Sequence, residues 1–192
     1  MDPVGNVLAA GRGTRFDPSG ARNKLLQALP GGELVAVASA RTLLSVLPRV
    51  IAVVPEDGAV GEALCALGCE VTVCPDAGSG MAASLVHALR ASLPASLSTT
   101  HGWLVALADM PHVAPQTVRA LAAALAAGAD IAVPVTGGRR GNPVAFGALH
   151  LPALLALQGD QGARGLLKSC PVTEIEVNDP GIFHDIDTPA DL

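Results

Sequence analysis

Short apolar runs and amphipathic stretches alternate along most of this chain, the pattern of a mostly parallel sheet with helices on both faces. Val7, Leu8, Ala9 and Ala10 suit a strand buried on both sides. After Gly31 and Gly32 the spacing is helical over 33–47 until Pro48 stops it, and 49–55 (RVIAVVP) is a short apolar strand. A helix over 58–67 ends at Gly68, placed as a C′ glycine, and 69–74 (CEVTVC) is the third strand. Residues 75–84 (PDAGSGMAAS) form a loop that runs into a helix reaching about residue 93. A polar loop over 94–101 precedes strand 103–108, which ends in Asp109, Met110 and Pro111. Helix 116–127 stops at Gly128, and strand 131–135 follows. Residues 144–146 are predicted to pair antiparallel, because no helix separates them from the strand before. Farther on, 159–167 (GDQGARGLL) reads as a turn into a helix capped by Asp160, and 173–177 alternates as an edge strand. Thr188 before Pro189 suits the cap of a last helix. The expected architecture is α/β in three layers, α/β/α, and 192 residues predict a single domain over 1–192.

Composition narrows the function. Half the residues are apolar but only 2% are aromatic, so the core must be built from Ala, Val and Leu. A net charge of −5 argues against a nucleic-acid partner, and anion binding must be local. No apolar run is long enough to span a bilayer and the first residues lack a signal-peptide pattern; the expectation is a cytoplasmic protein with no membrane partner. Cys65, Cys69, Cys74 and Cys170 lack paired spacing and read as buried free thiols rather than metal ligands. The five histidines show no ligand spacing, and Ser84 sits in no GxSxG elbow, so nucleophilic catalysis has no support.

The chemistry concentrates in 7–24, VLAAGRGTRFDPSGARNK. Gly11 and Gly13 let the backbone turn sharply after the apolar run, and peptide N–H groups in such a turn can point at an anion. Arg12, Arg15, Arg22 and Lys24 are four of the twelve basic residues, with only Asp17 opposing them. The P-loop is excluded because Leu25, not Ser or Thr, follows Lys24, and the dinucleotide fingerprint because no third glycine falls in register. A second glycine segment, around Gly80, reaches the same sheet edge. Asp109 ends its strand too far from the next helix to cap it, which favours a metal ligand. Asp185 and Asp187 are two apart, so an extended backbone points both the same way, and hard oxygens from Asp109 and Asp187 suit Mg²⁺. Arg139 and Arg140 flank a glycine turn, Arg139 reading as a solubilising residue.

LAAGRGTRF with Lys24, GSGMAASL, ADMP, RRGNPVAF, GDQGARGLL and DIDTPADL together resemble the molybdenum cofactor cytidylyltransferases, which are MobA-like nucleotidyltransferases. The resemblance runs through the whole chain in order. It implies a Rossmann-like fold of the nucleotide-diphospho-sugar transferase type, and transfer of CMP from CTP to molybdopterin carrying molybdenum. It assigns the nucleotide to Leu8, Ala9, Ala10, Gly11, Arg12, Gly13, Thr14, Gly80, Met81 and Ser84, with Arg15, Lys24 and Asp109 catalytic. It places Mg²⁺ on Asp109 and Asp187, and the acceptor substrate on Arg140, Asn142, Asp160 and Arg164, as part of RRGNP and GDQGAR. A molybdoenzyme or its maturation chaperone is the implied recipient. The span between Arg15 and Lys24 is longer than the compact family form, and ADMP stands where many relatives have GDQP. Ala10 in LAAG leans toward cytosine, since its methyl narrows the space near the base. The alternatives are a guanylyltransferase, a sugar-phosphate nucleotidyltransferase, and a non-catalytic chaperone for the cofactor or a nucleotide.

Overall fold

The computed structural model describes residues 2–11, 13–93, 101–159 and 162–192. Eight strands form one sheet: β1 (Val4–Leu8), β2 (Val50–Val54), β3 (Glu70–Val73), β4 (Gly102–Leu107), β5 (Ile131–Thr136), β6 (Arg139–Arg140), β7 (Val144–Gly147) and β8 (Thr173–Glu176). The order is β3-β2-β1-β4-β7-β5-β6, with β8 also paired to β5. β1, β2, β3 and β4 are parallel neighbours, as are β5 and β8, whereas β7 runs antiparallel between β4 and β5. The sheet is therefore mixed but mostly parallel, and the antiparallel pairing expected for 144–146 is present.

Strand residues alternate between two helical layers. On one face Val7, Ala52, Leu104 and Ala106 pack with α1 (Val35–Leu44), α2 (Ala59–Leu67) and α4 (Pro115–Ala126). On the other, Val4, Ile51, Trp103 and Phe146 pack with α3 (Met81–Ser92), α5 (Leu151–Leu155) and α6 (Arg164–Ser169). The buried Trp103 satisfies its indole N–H on Ser92 Oγ at 2.8 Å. No helix among the described residues is long and apolar enough to cross a membrane.

Several elements differ from expectation. β1 begins at Val4 and leaves the sheet after Leu8; Ala9 makes one more bond, from its N–H to Val53 O, and Ala10 is loop. Gly5 and Asn6 hid the strand's start: Asn6 is wholly buried on it, and its amide has no partner among the described residues. α1 is shorter than 33–47, because Leu29 and Glu33 close a turn on Gly31 and Gly32 before it. α5 was not expected. Helix α6 has Ala163 at its N-cap position; Asp160, expected as the cap, Arg12 and the 94–100 part of the polar loop lie outside the described residues. The last turn, Pro189–Asp191, is a 3-10 turn that Thr188 caps in a reciprocal box with Asp191. All four cysteines are free, but Cys65 is exposed on the outside of α2 and Cys170 only half-buried. Arg139 is exposed, as a solubilising residue would be, and also lays its guanidinium 4.3 Å from the Phe183 ring centre.

Candidate active site

The chain runs outward through β1, β2 and β3 and then returns to the other side of β1 as β4. Ligands of open α/β sheets bind at such a reversal, outside the carboxyl ends of the strands. Leu8 and Leu107 are partners in register, so the loops after β1 and β4 leave the sheet side by side. A cavity of about 470 Å³ opens there. Leu8, Ala10 and Gly11 line it from the first loop, Ala77, Gly78, Gly80, Met81 and Ser84 from the entry to α3, and Lys24, Leu25, Leu107 and Asp109 complete the wall.

Lys24 is placed by local chemistry. Asn23 caps the short 3-10 turn Lys24–Leu26 by accepting from Leu25 N–H at 2.9 Å. Gly13, at φ +59°, lies across the lysine stem, where an added Cβ would sit 3.6 Å from Lys24 Cγ. Asp17 ties the intervening loop by accepting from Ser19 N–H and Oγ and from Arg22 N–H. Those bonds, the Ser19 hydroxyl foremost, hold its carboxyl below the usual range.

Lys24 Nζ lies 2.6 Å from Asp109 Oδ2 and 3.1 Å from Asp187 Oδ1, and Arg15 reaches Asp187 Oδ2 at 2.7 Å. Burial pulls the Lys24 ammonium down, but the hydrogen bonds and charges of Asp109 and Asp187 together outweigh it and raise its pKa. Asp187 is held below the ordinary carboxylate value, first by its hydrogen bond from Lys24 and then, against burial, by Arg15. Asp109 Oδ1 is buried and has no hydrogen-bond partner among the described residues. Such an oxygen suits a hard cation. Asp109 and Asp187, which share Lys24 as a partner, are the carboxylates that could hold one, with other positions left to phosphate and water; no group of three or more His, Cys, Asp and Glu placed to hold a metal is found among the described residues. Asp185 is exposed and, among the described residues, takes no part in these ion pairs.

The two acids come from distant segments held together by backbone and by one buried carboxylate. Ile186 N–H donates to Asp109 O at 2.8 Å, and Ser39 Oγ on α1 donates to Ala108 O at 2.8 Å. Asp179, buried, accepts from Ala114 N–H, Thr117 Oγ1 and Gly181 N–H. Gly181 packs so closely on His112 O that no side chain fits. Asp179 escaped the sequence reading: Asp before Pro signals a turn, but nothing local points to Thr117.

A second cavity of about 260 Å³ shares Leu8, Met81 and Leu107 with the first and is lined by Arg140, Asn142 and Arg164 among others. Arg140 also pairs with Glu174 at 2.7 Å. Among the described residues, the expected ones thus fall into two adjoining hollows, with five exceptions. Ala9 is packed in the core, Gly13 lies against the Lys24 stem, Thr14 is an exposed turn residue, and Arg15 and Asp187 pair with each other without lining either cavity.

Fold and site together define an α/β protein built to handle a nucleotide at the sheet's switch point. Residues 5–175 match the MobA-like NTP transferase domain, and the chain belongs to that family of nucleotidyltransferase enzymes. It is 30% identical over 199 residues to the purine catabolism protein PucB of Bacillus subtilis (strain 168), covering 98% of this chain and 93% of PucB. A nucleotidyl transferase from Methanothermobacter thermautotroptrophicus (Mth528) superposes with a TM-score of 0.80 at 27% identity, over 99% of this chain and 94% of that one. Rv0371c from Mycobacterium tuberculosis H37Rv, in complex with manganese, superposes with a TM-score of 0.75 at 27% identity, over 100% and 96% of the two chains.

Proposed function

We propose that this enzyme transfers CMP from CTP to the terminal phosphate of molybdopterin carrying molybdenum, giving the cytosine dinucleotide cofactor and diphosphate. The observation that supports this reading best is the pair of cavities meeting at Leu8, Met81 and Leu107, one walled by Lys24 and Asp109 and the other by two arginines. CTP would occupy the first. Backbone amides from Gly11 to Gly13, with Arg12, take the β- and γ-phosphates, while Leu8, Ala10, Gly80, Met81 and Ser84 surround the base and the backbone near Ala9 and Ala10 holds it. The acceptor enters through the second cavity, where Arg140, Arg164 and Asn142 orient its charged end; Asp160, of the same expected set, lies outside the described residues.

An acceptor phosphate oxygen attacks the α-phosphorus, a new P–O bond forms, and the bond to the β-phosphate breaks with its electron pair leaving on diphosphate. Both reactants are anions, so the protein's work is alignment and charge neutralisation. Lys24 and Arg15 turn from the carboxylates to the phosphates and stabilise the charge growing there. Mg²⁺, held by Asp109 and Asp187, would draw off phosphate charge when bound. No covalent enzyme intermediate is required. A molybdoenzyme or its maturation chaperone would receive the product.

The test is incubation with Mg²⁺, molybdenum-loaded molybdopterin and each NTP separately, scoring diphosphate and the dinucleotide by mass. CTP should give both. Diphosphate release with GTP instead would move the assignment to the guanine cofactor, and none with any NTP would overturn it.

A further inference from the structure

We propose that Lys24 is an internal counter-ion for the carboxylate pair, which a divalent metal displaces easily only when a nucleoside triphosphate is present to receive the lysine. This rests on the reading of Asp109 and Asp187 as the metal carboxylates. The Lys24 side chain is 8% exposed, contacts both carboxylates, and also lines the nucleotide cavity. With Arg15 on Asp187, the four side chains sum to zero charge. A lone dication therefore approaches a pair that is already neutralised. To take those oxygens it must push an ammonium off both partners inside a part-buried site, where an unpaired charge is costly. Triphosphate changes that balance, because its oxygens give Lys24 and Arg15 new anionic partners and leave the carboxylates free. Metal and nucleotide should then strengthen each other's binding by the same factor.

A lysine that served the phosphates alone would leave metal affinity in the absence of nucleotide unchanged when removed. The counter-ion role predicts the opposite. Lys24→Met keeps the aliphatic stem that packs along Gly13 and removes the charge. Free Mn²⁺ measured by electron paramagnetic resonance, with and without the α,β-methylene analogue of CTP, reads the coupling directly.

Wild type should bind Mn²⁺ weakly alone and at least about tenfold more tightly with the analogue. Lys24→Met should bind Mn²⁺ alone at least about tenfold more tightly than wild type, and the analogue's effect should shrink severalfold. Equal or weaker Mn²⁺ binding by a folded Lys24→Met overturns the proposal while leaving the site reading intact, provided Asp109→Asn abolishes that binding. If Asp109→Asn and Asp187→Asn leave Mn²⁺ binding untouched in every background, the metal-site reading fails and the proposal with it. The wild-type chain offers a check that needs no variant. Lys24 and Lys168 are its two lysines, and Lys168 is exposed on α6, so it serves as an internal reference for amine labelling followed by mass spectrometry. Saturating Mn²⁺ should at least double Lys24 labelling relative to Lys168, and an unchanged ratio overturns the proposal.

Discussion

Replacing Asp179 with Ala should cost about 3–5 kcal/mol of stability, although the residue touches neither cavity. Its carboxylate accepts at 3.0 Å from Gly181 N–H, at 2.8 Å from Ala114 N–H and at 2.6 Å from Thr117 Oγ1. Ala114 is the N-cap of α4 and has no capping side chain; from 65 residues away Asp179 accepts the N–H of the N-cap residue, as the N3 carboxylate of a capping box would, and sets a carboxylate at the start of the helix. Truncation leaves three donors in a buried place, each costing roughly 1–3 kcal/mol unless water or a new partner reaches it. Thr117 can turn its hydroxyl to a preceding carbonyl and sits at the low end of that range. Typical total stability is about 5–15 kcal/mol, so a large part of it hangs on one carboxylate. At about 2–4 °C per kcal/mol for a chain of this size, the melting point should fall by about 6–20 °C. Trp103 is the single tryptophan and is 1% exposed, so its fluorescence in a urea titration reports global unfolding. Thr117→Val removes one donor only and should cost less than about 1.5 kcal/mol. A loss below about 1 kcal/mol for Asp179→Ala would refute the reasoning, since the three bonds could not then be carrying the junction.

Four further outcomes follow from the same geometry. Asp109→Asn should lower kcat at least about a hundredfold with the fold retained by circular dichroism; full activity would remove Asp109 from the chemistry. Ala10→Gly should raise GTP use relative to CTP by about tenfold or more in a direct competition, and an unchanged ratio would show that the methyl does not gate the base. Burial, with the neighbouring Cys65, pushes the Cys69 thiol up to about 11, so a thiol reagent at pH 8 should modify exposed Cys65 quickly and Cys69 only on unfolding. Because the folded pKa of Asp187 is depressed, its stabilisation is complete above the unfolded value near about 4 and is lost as pH falls through the lower folded one. Asp187→Asn should flatten the acid-induced loss of stability there, and an equally steep loss would count against the ion pairs.

What the sequence made legible was whatever is encoded by neighbours in the chain. The β2 run VIAVV is buried on both faces of a parallel sheet and reads as continuous apolar residues, and Gly68 marks the end of α2 by its left-handed backbone. β1 was misplaced because its sequence, VGNVL, carries a glycine against Leu43 and Leu47 and a fully buried asparagine, neither of which looks like core. At the site, glycines and a strand-end acid announced the loops. The pairing of Lys24 with Asp109 spans 85 residues and with Asp187 spans 163, so no local pattern could reveal it. The acids read as metal ligands and the lysine as a phosphate ligand; that the three share one cluster is a product of the β1–β4 register and of Ile186 bonding to Asp109 O.

That cluster also resolves a conflict in the composition. A chain of net charge −5 has to attract a triphosphate, yet two of its carboxylates lie against the very basic residues proposed to bind it. Permanent excess positive charge in the loop would attract any polyanion, whereas neutral pairing holds that attraction back. On the proposed reading, a divalent cation on Asp109 and Asp187 takes the four-residue cluster from zero to two positive charges. The positive field that holds the phosphates then appears only as metal and nucleotide bind together, and an acidic protein gains a cationic site without carrying a standing cationic surface.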